Sequence, residues 1–226
     1  MKVENKLYKN QGIHVISSIF TVDKGTTKVL LIKRKNEPFK DSWALVGGAL
    51  YNNESLEDGM KREIYEKSGL NDVDLYQYGV FDEKDKTPTI NMRMIAIGYL
   101  GLVDSTKVDI IKENLNTQDV DWFDISKIPN LAFLHNDMLD KAIEKLKDLI
   151  LDSDILKSLL PKEFTMPELQ KLFEGILQAK YDRRNFRKKI LSLNILEDTN
   201  KEISINGNKP SKLYKFKNNI EKKKVF

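Results

Sequence analysis

A set of charged residues between positions 48 and 70 has the types and spacing of a site that handles phosphates or metal ions. Its members are Gly48, Glu54, Arg62, Glu63, Glu66 and Lys67. Helical periodicity places Glu63, Glu66 and Lys67 on one face, because residues three and four apart are neighbours on a helix. Mg²⁺ prefers carboxylate oxygens combined with substrate phosphates, and such a cluster supplies the carboxylates.

A solvated helix face is the alternative interpretation of this set. At about 100° per residue, Lys67 lies within roughly 20° of Met60 and Glu63 within roughly 60° of it. The charges therefore border the apolar stripe of Leu56, Met60 and Ile64 instead of opposing it. That placement favours a site at the edge of a core.

The segment 48–70 resembles the Nudix box: Gly, five residues, Glu, seven residues, then Arg-Glu-aliphatic-x-Glu-Glu-x-Gly-aliphatic. Every defining position matches except the second glutamate of the final pair, which is Lys67 here. The resemblance implies that Glu66 matches a metal ligand and that Glu63 matches a ligand or the general base. An ammonium group at position 67 cannot coordinate Mg²⁺, and close to the ion it would repel it by several kcal/mol.

Lys67 therefore predicts a catalytically impaired domain with no hydrolysis or only weak hydrolysis. Our hypothesis is that the domain holds a nucleotide diphosphate uncleaved, with the lysine taking over part of the metal's charge neutralisation. No cofactor is then required, and Mg²⁺ held by Glu63 and Glu66 is expected only with residual hydrolase activity. The open alternative is that Lys67 turns to solvent while Glu83 or Asp85 rescues the metal.

Two cations at the end of a predicted strand, Lys33 and Arg34, are candidates to reach phosphates, although such residues are more often solvated. The predicted ligand-binding residues are Lys33, Arg34, Glu63, Glu66 and Lys67. His135 precedes a predicted helix, and we interpret it as a capping or packing residue.

Strand-like runs and two helices must position this cluster. The strands are predicted over 14–22, 28–33, 43–46, 75–81, 92–103 and 120–123, and the helices over 56–68 and 136–151. Many strands with one embedded and one terminal helix indicate a mixed sheet sandwiched by helices, in an α+β chain. The Nudix resemblance implies the same α/β/α sandwich.

The charge changes sign along the chain. Residues 152–226 contain 17 Lys/Arg against 10 Asp/Glu, whereas residues 1–151 contain 21 against 24. An acidic front and a basic rear predict two modules with different partners, divided as 1–151 and 152–226.

Two amphipathic helices open the rear module. Thr165 and Glu168 form a predicted capping box before apolar residues spaced at i, i+3, i+4 and i+7. Asp182 is the predicted N-cap of a second helix over 183–193, with Phe186, Ile190 and Leu193 as its buried stripe. A tight turn between two such helices predicts a helix-turn-helix.

Cations cover the outward side of the second helix, where arginine suits guanine edges and lysine suits phosphates. Strand-like runs at 202–205 and 213–216 flank the turn 206–210, which predicts a β-hairpin wing. The predicted DNA-binding residues are Arg183, Arg184, Asn185, Arg187, Lys188, Lys209 and Lys212. A helical dimerisation domain with a basic surface is the alternative.

The rear segments Phe164-Thr-Met-Pro-Glu-Leu-Gln, Asp182-Arg-Arg-Asn-Phe-Arg-Lys-Lys and Lys209-Pro-Ser-Lys-Leu-Tyr-Lys-Phe resemble the winged helix of the Nudix-related regulators called NrtR. The resemblance implies a homodimeric repressor of NAD synthesis or salvage genes that binds a pseudo-palindromic operator and is released by ADP-ribose or a related nucleotide or sugar phosphate. The alternative is an active Nudix hydrolase, an ADP-ribose or nucleoside diphosphate sugar pyrophosphatase, with an appended regulatory winged helix.

Composition agrees with a cytoplasmic protein. The chain has 226 residues, 40% hydrophobic and 32% charged, and it contains no cysteine. The first apolar run is too late and too polar for a signal peptide, and no run approaches the roughly 18 apolar residues of a membrane span. We therefore expect no membrane partner.

Overall fold

The computed structural model describes residues 11–82, 93–113, 117–150, 155–204 and 210–218. The described residues of 1–20, 29–101 and 109–143 form one compact unit, and those of 21–28, 102–108 and 144–226 form another. The predicted domain boundary between 151 and 152 lies outside the described residues and stays a prediction. Among the described residues, none of the helices has the combination of length and hydrophobicity that a membrane-spanning helix needs.

A hairpin of two long strands forms the middle of the larger sheet. β1 (Gln11–Asp23) and β2 (Thr26–Arg34) are joined at Lys24 and Gly25, whose φ angles are 50° and 85°. Positive φ at both turn residues suits the right-handed twist of a two-residue hairpin, and glycine adopts it without a steric penalty.

Five more strands complete this seven-stranded sheet. They are β3 (Trp43–Ala44), β4 (Val46–Ala49), β5 (Asp74–Asp82), β6 (Arg93–Leu102) and β7 (Thr117–Asp124). The main order is β3-β2-β1-β6-β5, while β4 pairs with β1 and β7 pairs with β2. The antiparallel register sets Val15 opposite Gly48 and Ser17 opposite Val46, so the start of the charged segment lies against β1.

Two helices belong to the same region of the chain. α1 (Leu56–Ser68) is capped by the Ser55 side chain, which accepts a hydrogen bond from the Asp58 amide, and it ends at Gly69 with φ 76°. It buries Met60, Ile64 and, unusually for a carboxylate, Glu63. α2 (His135–Leu149) buries an apolar face that includes Met138 and Leu146.

The rear of the chain forms a three-stranded sheet with two helices. The strands are β8 (Phe164–Thr165), β9 (Leu196–Ile203) and β10 (Ser211–Phe216), in the order β8-β10-β9. The helices are α3 (Met166–Leu177) and α4 (Arg183–Ser192), with ring centroids of Phe173 and Phe186 5.6 Å apart between them. This is the arrangement of a helix-turn-helix followed by a wing.

The predicted fold class is confirmed in both modules. The helix predicted over 56–68 has those bounds, and the predicted N-caps Thr165 and Asp182 are both present. Two rear features differ from the prediction. β9 is a continuous strand over Leu196–Ile203, whereas the sequence predicted a strand only over 202–205; it passes through Asn200, whose φ angle is 58°. The two-residue β8 was not predicted. Of the turn predicted over 206–210, residues 206–209 lie outside the described residues.

The capping box of α3 allows a test of the rear fold. The Thr165 hydroxyl accepts a hydrogen bond from the Glu168 amide at 3.3 Å, and the Glu168 carboxylate accepts one from the Thr165 amide at 2.7 Å. We expect Thr165→Ala to lower the free energy of unfolding by about 1 kcal/mol, because an N-terminal amide loses its acceptor. Urea denaturation followed by circular dichroism measures this. Thr165→Ser keeps the cap and serves as control; an equal loss in both variants would contradict the capping explanation.

Candidate functional site

Arg62 anchors the loop before α1. Its Nη2 and Nε donate to the two carboxylate oxygens of Glu54 at 2.7 and 2.9 Å, and Nη2 also donates to the Ala49 carbonyl at 2.9 Å. The hydrogen bond from Arg62 lowers the pKa of Glu54 to about 2. The guanidinium carbon lies 3.9 Å from the centre of the exposed Tyr51 ring. The ion pair between Arg62 and Glu54 therefore holds the loop against α1.

Glu63 is buried between two cations. Arg62 Nη1 contacts Oε1 at 2.7 Å, and Lys67 Nζ contacts Oε2 at 2.8 Å. Lys67 also donates to the Gly47 carbonyl. The side chains of Glu63 and Lys67 are only 7% and 16% exposed. Both carboxylate oxygens of Glu63 are therefore paired with cations of this chain.

Gly48 leaves the space that the Glu63 carboxylate occupies. A Cβ atom at position 48 would lie 2.3 Å from Glu63 Oε1 and 2.4 Å from Oε2, closer than any real contact. The glycine that opens the charged segment is thus required by the burial of this carboxylate.

Two cavities meet at Arg34 and Lys67. The first has a volume of about 210 Å³ and is lined by His14, Ile16, Ile32, Arg34, Pro38, Leu45, Gly47, Gly48, Lys67, Met94, Ala96, Phe133 and His135. The second has a volume of about 290 Å³ and is lined by Ile32, Arg34, Lys35, Asn36, Gly48, Ala49, Tyr51, Glu63, Glu66 and Lys67. Arg34 and Lys67 border both cavities. An elongated ligand that occupies both cavities would therefore place its middle part, if anionic, beside these two cations.

Of the two cations predicted at the end of β2, Arg34 lines the cavities and Lys33 does not. Arg34 donates from Nε to the Pro38 carbonyl at 2.8 Å, and its guanidinium carbon lies 4.8 Å from the centre of the Phe133 ring. Ile32 and Arg34 line the cavities, and alternation along β2 directs Lys33 to the other face of the sheet. Lys33 lines neither cavity, and its predicted role stays a prediction.

Glu66 lies at the rim of the second cavity. Its side chain is 41% exposed and lies 3.5 Å from Arg62 Nη1. Within the described ranges, no three His, Cys, Asp or Glu side chains are grouped so as to hold a metal ion. The predicted alternative ligands Glu83 and Asp85 lie outside those ranges.

His135 is a buried, neutral wall of the first cavity. Its Nδ1 accepts a hydrogen bond from the Leu45 amide at 3.0 Å, which places it as a packing residue. Burial, together with the charges of Arg34 and Lys67, lowers its pKa to about 3. Burial and Lys67 also lower the pKa of His14, which lines the same cavity. Both histidines are uncharged at neutral pH, so the positive charge at this cavity comes from Arg34 and Lys67.

The outward face of α4 carries the predicted DNA-binding residues. Asp182 Oδ1 caps the helix by accepting from the Arg184 and Asn185 amides at 3.1 and 3.0 Å. Phe186 and Ile190 are buried, which fixes the rotation of the helix. The residues left exposed include Arg183, Arg184, Asn185, Arg187 and Lys188.

A large groove runs beside this face. It has a volume of about 1010 Å³ and is lined by Thr165, Met166, Pro167, Glu168, Gln170, Lys171, Arg183, Arg187, Pro210, Ser211, Lys212 and Tyr214. Arg187 Nη2 donates to the Tyr214 hydroxyl at 2.9 Å, so a wing residue orients a cation of α4. Lys212 pairs with Asp198 at 2.7 Å but remains about half exposed. Lys209 lies outside the described residues.

Several residues of these sites were not predicted from the sequence, among them Tyr51, Lys171, Tyr214, Phe133 and Gly47 with its carbonyl. Tyr51 lies three residues before the predicted Glu54, but nothing local indicates that Arg62 stacks on it. Tyr214 meets Arg187 across 27 positions, and a backbone carbonyl has no side-chain signal at all.

Two family models match the chain. The NUDIX domain matches residues 12–145, and the NrtR DNA-binding winged helix domain matches residues 157–216. The first match lies within residues 1–151 and the second within residues 152–226.

Three relatives resemble the chain. It is 28% identical over 213 residues to the ADPR responsive transcriptional repressor NtrR of Acinetobacter baylyi, covering 92% of this chain and 83% of that protein. It is 31% identical over 127 residues to an ADP-ribose pyrophosphatase of Methanocaldococcus jannaschii, covering 56% and 72%.

The third relative is known from crystal structures. NrtR of Shewanella oneidensis complexed with a 27mer DNA is 27% identical, with a TM-score of 0.76, covering 91% of this chain and 93% of that chain. Its NUDIX domain complexed with ADP ribose is 26% identical, with a TM-score of 0.57, covering 64% and 94%.

Burial of neutral His135 predicts a loss of stability in acid. An unfolded histidine with a pKa of 6.5 takes up a proton that folded His135 refuses until about pH 3. The contribution of neutral His135 to the free energy of unfolding is therefore fully present above pH 6.5 and is lost as the pH falls from 6.5 to about 3. At about pH 5.5 we expect His135 to lower the free energy of unfolding by about 1 kcal/mol.

Urea denaturation at two pH values measures this loss. His135→Asn keeps an acceptor for the Leu45 amide but does not titrate. Its free energy of unfolding should therefore fall by about 1 kcal/mol less than that of the wild type between about pH 7.5 and pH 5.5. Identical losses in the two proteins would show that His135 is not the group responsible.

Proposed function

This chain belongs to the Nudix family, and we propose that it is a ligand-responsive transcriptional repressor whose Nudix domain senses ADP-ribose or a related nucleotide-sugar. The winged helix binds operator DNA, and the regulated genes belong to NAD synthesis or salvage. The relatives that share both domains support this proposal, since one is an ADPR responsive repressor and another is crystallised with DNA.

The observation that carries the proposal is the basic face of α4 beside a groove closed by the wing. Arg184 and Lys188 project on the side opposite the buried Phe186 and Ile190. A helix of this kind enters the major groove, where arginine pairs with guanine and the remaining cations contact phosphates. The Arg187–Tyr214 hydrogen bond restricts one such cation before DNA arrives.

The paired cavities of the front domain support a nucleotide-sugar effector. Arg34 and Lys67 stand where the cavities meet, which suits the two negative charges of a diphosphate. The first cavity offers apolar and aromatic walls such as Phe133, and the second offers polar groups such as Glu66 and Asn36. A ligand with a base and a sugar at opposite ends of a diphosphate matches this division.

Regulation then requires that the effector bind one arrangement of the protein more tightly than another. We propose a homodimer, because two winged helices would match a pseudo-palindromic operator with half-sites about one DNA turn or a multiple apart. Its partner being DNA, we place the protein in the cytoplasm.

Fluorescence anisotropy with the DNA upstream of the chain's own gene tests this function. We expect specific binding that weakens steeply with rising salt, because several cations release counterions from phosphates. Adding ADP-ribose should release the DNA. Binding that is indifferent to DNA sequence and to ADP-ribose would refute the proposal.

Substitutions on α4 separate the two modules. We expect Arg184→Ala and Arg187→Ala each to weaken operator binding about tenfold, since each removes a contact of about 1–3 kcal/mol. ADP-ribose affinity, measured by titration calorimetry, should stay unchanged. Lys189→Ala removes a charge from another side of α4 and is the control. Equal losses of DNA and ADP-ribose binding would contradict the division of functions.

The second candidate function is ADP-ribose pyrophosphatase activity with the winged helix as a regulatory appendage. The likeness to the Methanocaldococcus jannaschii pyrophosphatase favours it. We propose that hydrolysis is absent or weak in this chain and that no cofactor is required. Mg²⁺ would be needed only if this second candidate holds.

A Mg²⁺-dependent assay of AMP release from ADP-ribose distinguishes the candidates. We expect negligible turnover by the wild-type chain and a gain of at least about tenfold in Lys67→Glu, which restores the carboxylate of the box. Lys61→Glu, on the exposed side of the same helix, makes the same charge change and should gain nothing. Brisk turnover by the wild-type chain would establish the hydrolase instead.

A further inference from the structure

The Nudix family implies a divalent cation on the carboxylates of α1, and the residues present here do not fit one. A metal ligand needs a lone pair that faces the ion. Each oxygen of Glu63 already faces a cation of this chain, because Arg62 and Lys67 contact the two oxygens at 2.7 and 2.8 Å, and a divalent ion beside them would be repelled by both. Glu66 is the α1 carboxylate of the box that lies farther from a cation, partly exposed and 3.5 Å from Arg62.

Lys67 is held between a carboxylate and a backbone carbonyl. Its Nζ bridges Glu63 Oε2 and the Gly47 carbonyl, one acceptor from α1 and one from β4. Carboxylate and carbonyl oxygens are the ligands that a hard cation would also take. The side chain is 16% exposed, so the ammonium group is a built part of the site rather than a solvated charge.

The same ammonium group borders both cavities. It shares that position with Arg34, whose guanidinium is fixed by the Pro38 carbonyl and the Phe133 ring. A cation that is held against a carboxylate and lines a cavity is placed to attract an anionic oxygen of a ligand in that cavity. Electrostatic stabilisation of phosphate oxygens does not require that the cation be a metal.

We propose that Lys67 substitutes for the divalent cation of this site, so that the chain excludes the metal and binds the diphosphate of its effector without one. The second half of this inference rests on the proposed function, because it assumes a diphosphate ligand. The first half concerns only the chain and a metal ion, and it can be tested by itself.

Mn²⁺ binding to the ligand-free full chain tests the exclusion. The amplitude of the electron paramagnetic resonance signal of free Mn²⁺ counts the ions bound. We expect Lys67→Glu to bind one more Mn²⁺ per chain than the wild type, while Lys61→Glu binds the same number as the wild type. Equal numbers in Lys67→Glu and the wild type would overturn the exclusion. So would a wild-type Mn²⁺ site that is lost in Glu63→Gln.

Titration calorimetry with ADP-ribose tests the substitution. In EDTA and in Mg²⁺, the wild-type affinity should agree within about twofold, whereas Lys67→Met should bind at least about tenfold more weakly in both. Lys67→Met adds no charge beside Glu63, so it avoids the risk that Lys67→Glu fails to fold. Wild-type binding that disappears in EDTA overturns the inference, as does undiminished binding by Lys67→Met.

The two proposals fail in different ways. If ADP-ribose binds neither in EDTA nor in Mg²⁺ while operator binding persists, the proposed effector is wrong and the metal-free binding of it falls too. The Mn²⁺ count then still decides whether Lys67 excludes the metal. If ADP-ribose binds and releases DNA only with Mg²⁺, the repressor function stands and this inference is overturned.

Discussion

The bridge from Lys67 to Glu63 and the Gly47 carbonyl is the interaction on which the front domain depends. A buried carboxylate is costly unless it is paired, and Glu63 is paired on both oxygens by Arg62 and Lys67. The pairing in turn requires a glycine at position 48, since any Cβ would overlap the carboxylate. Strand β4 and helix α1 are thereby held together at the point where the two cavities meet.

The rear domain follows a different constraint, the rotation of α4. Its cap at Asp182 and its buried Phe186 and Ile190 leave one orientation, and that orientation exposes the cations. The wing then adds Tyr214, whose hydroxyl accepts a hydrogen bond from Arg187. In the front domain, Arg62 and Lys67 neutralise a buried carboxylate, and Lys67 lines the cavities. In the rear domain, the cations of α4 are exposed.

Local signals in the sequence predicted most of this. The spacing of the Nudix box and its flanking residues placed α1 correctly, and capping residues placed the starts of α3 and α4. Contacts between distant positions were not predictable. The two-residue β8 is too short to show alternation, and Lys33 and Arg34 look alike until strand pairing shows which of them lines the cavities.

The sequence shows directly that position 67 of the box is a lysine, but it does not show where the ammonium group of that lysine lies. A lysine there either turns to solvent or stays in the site, and sequence does not distinguish these outcomes. The structure favours the second, because a backbone carbonyl and a buried carboxylate both hold the ammonium group.

One titration joins the two domains in a single readout. Operator DNA bound to the full chain is titrated with ADP-ribose in excess EDTA while fluorescence anisotropy reports the bound fraction. We expect the anisotropy to fall to the value of free DNA although every divalent ion is chelated. DNA that stays bound in EDTA and leaves only when Mg²⁺ is supplied would contradict this expectation.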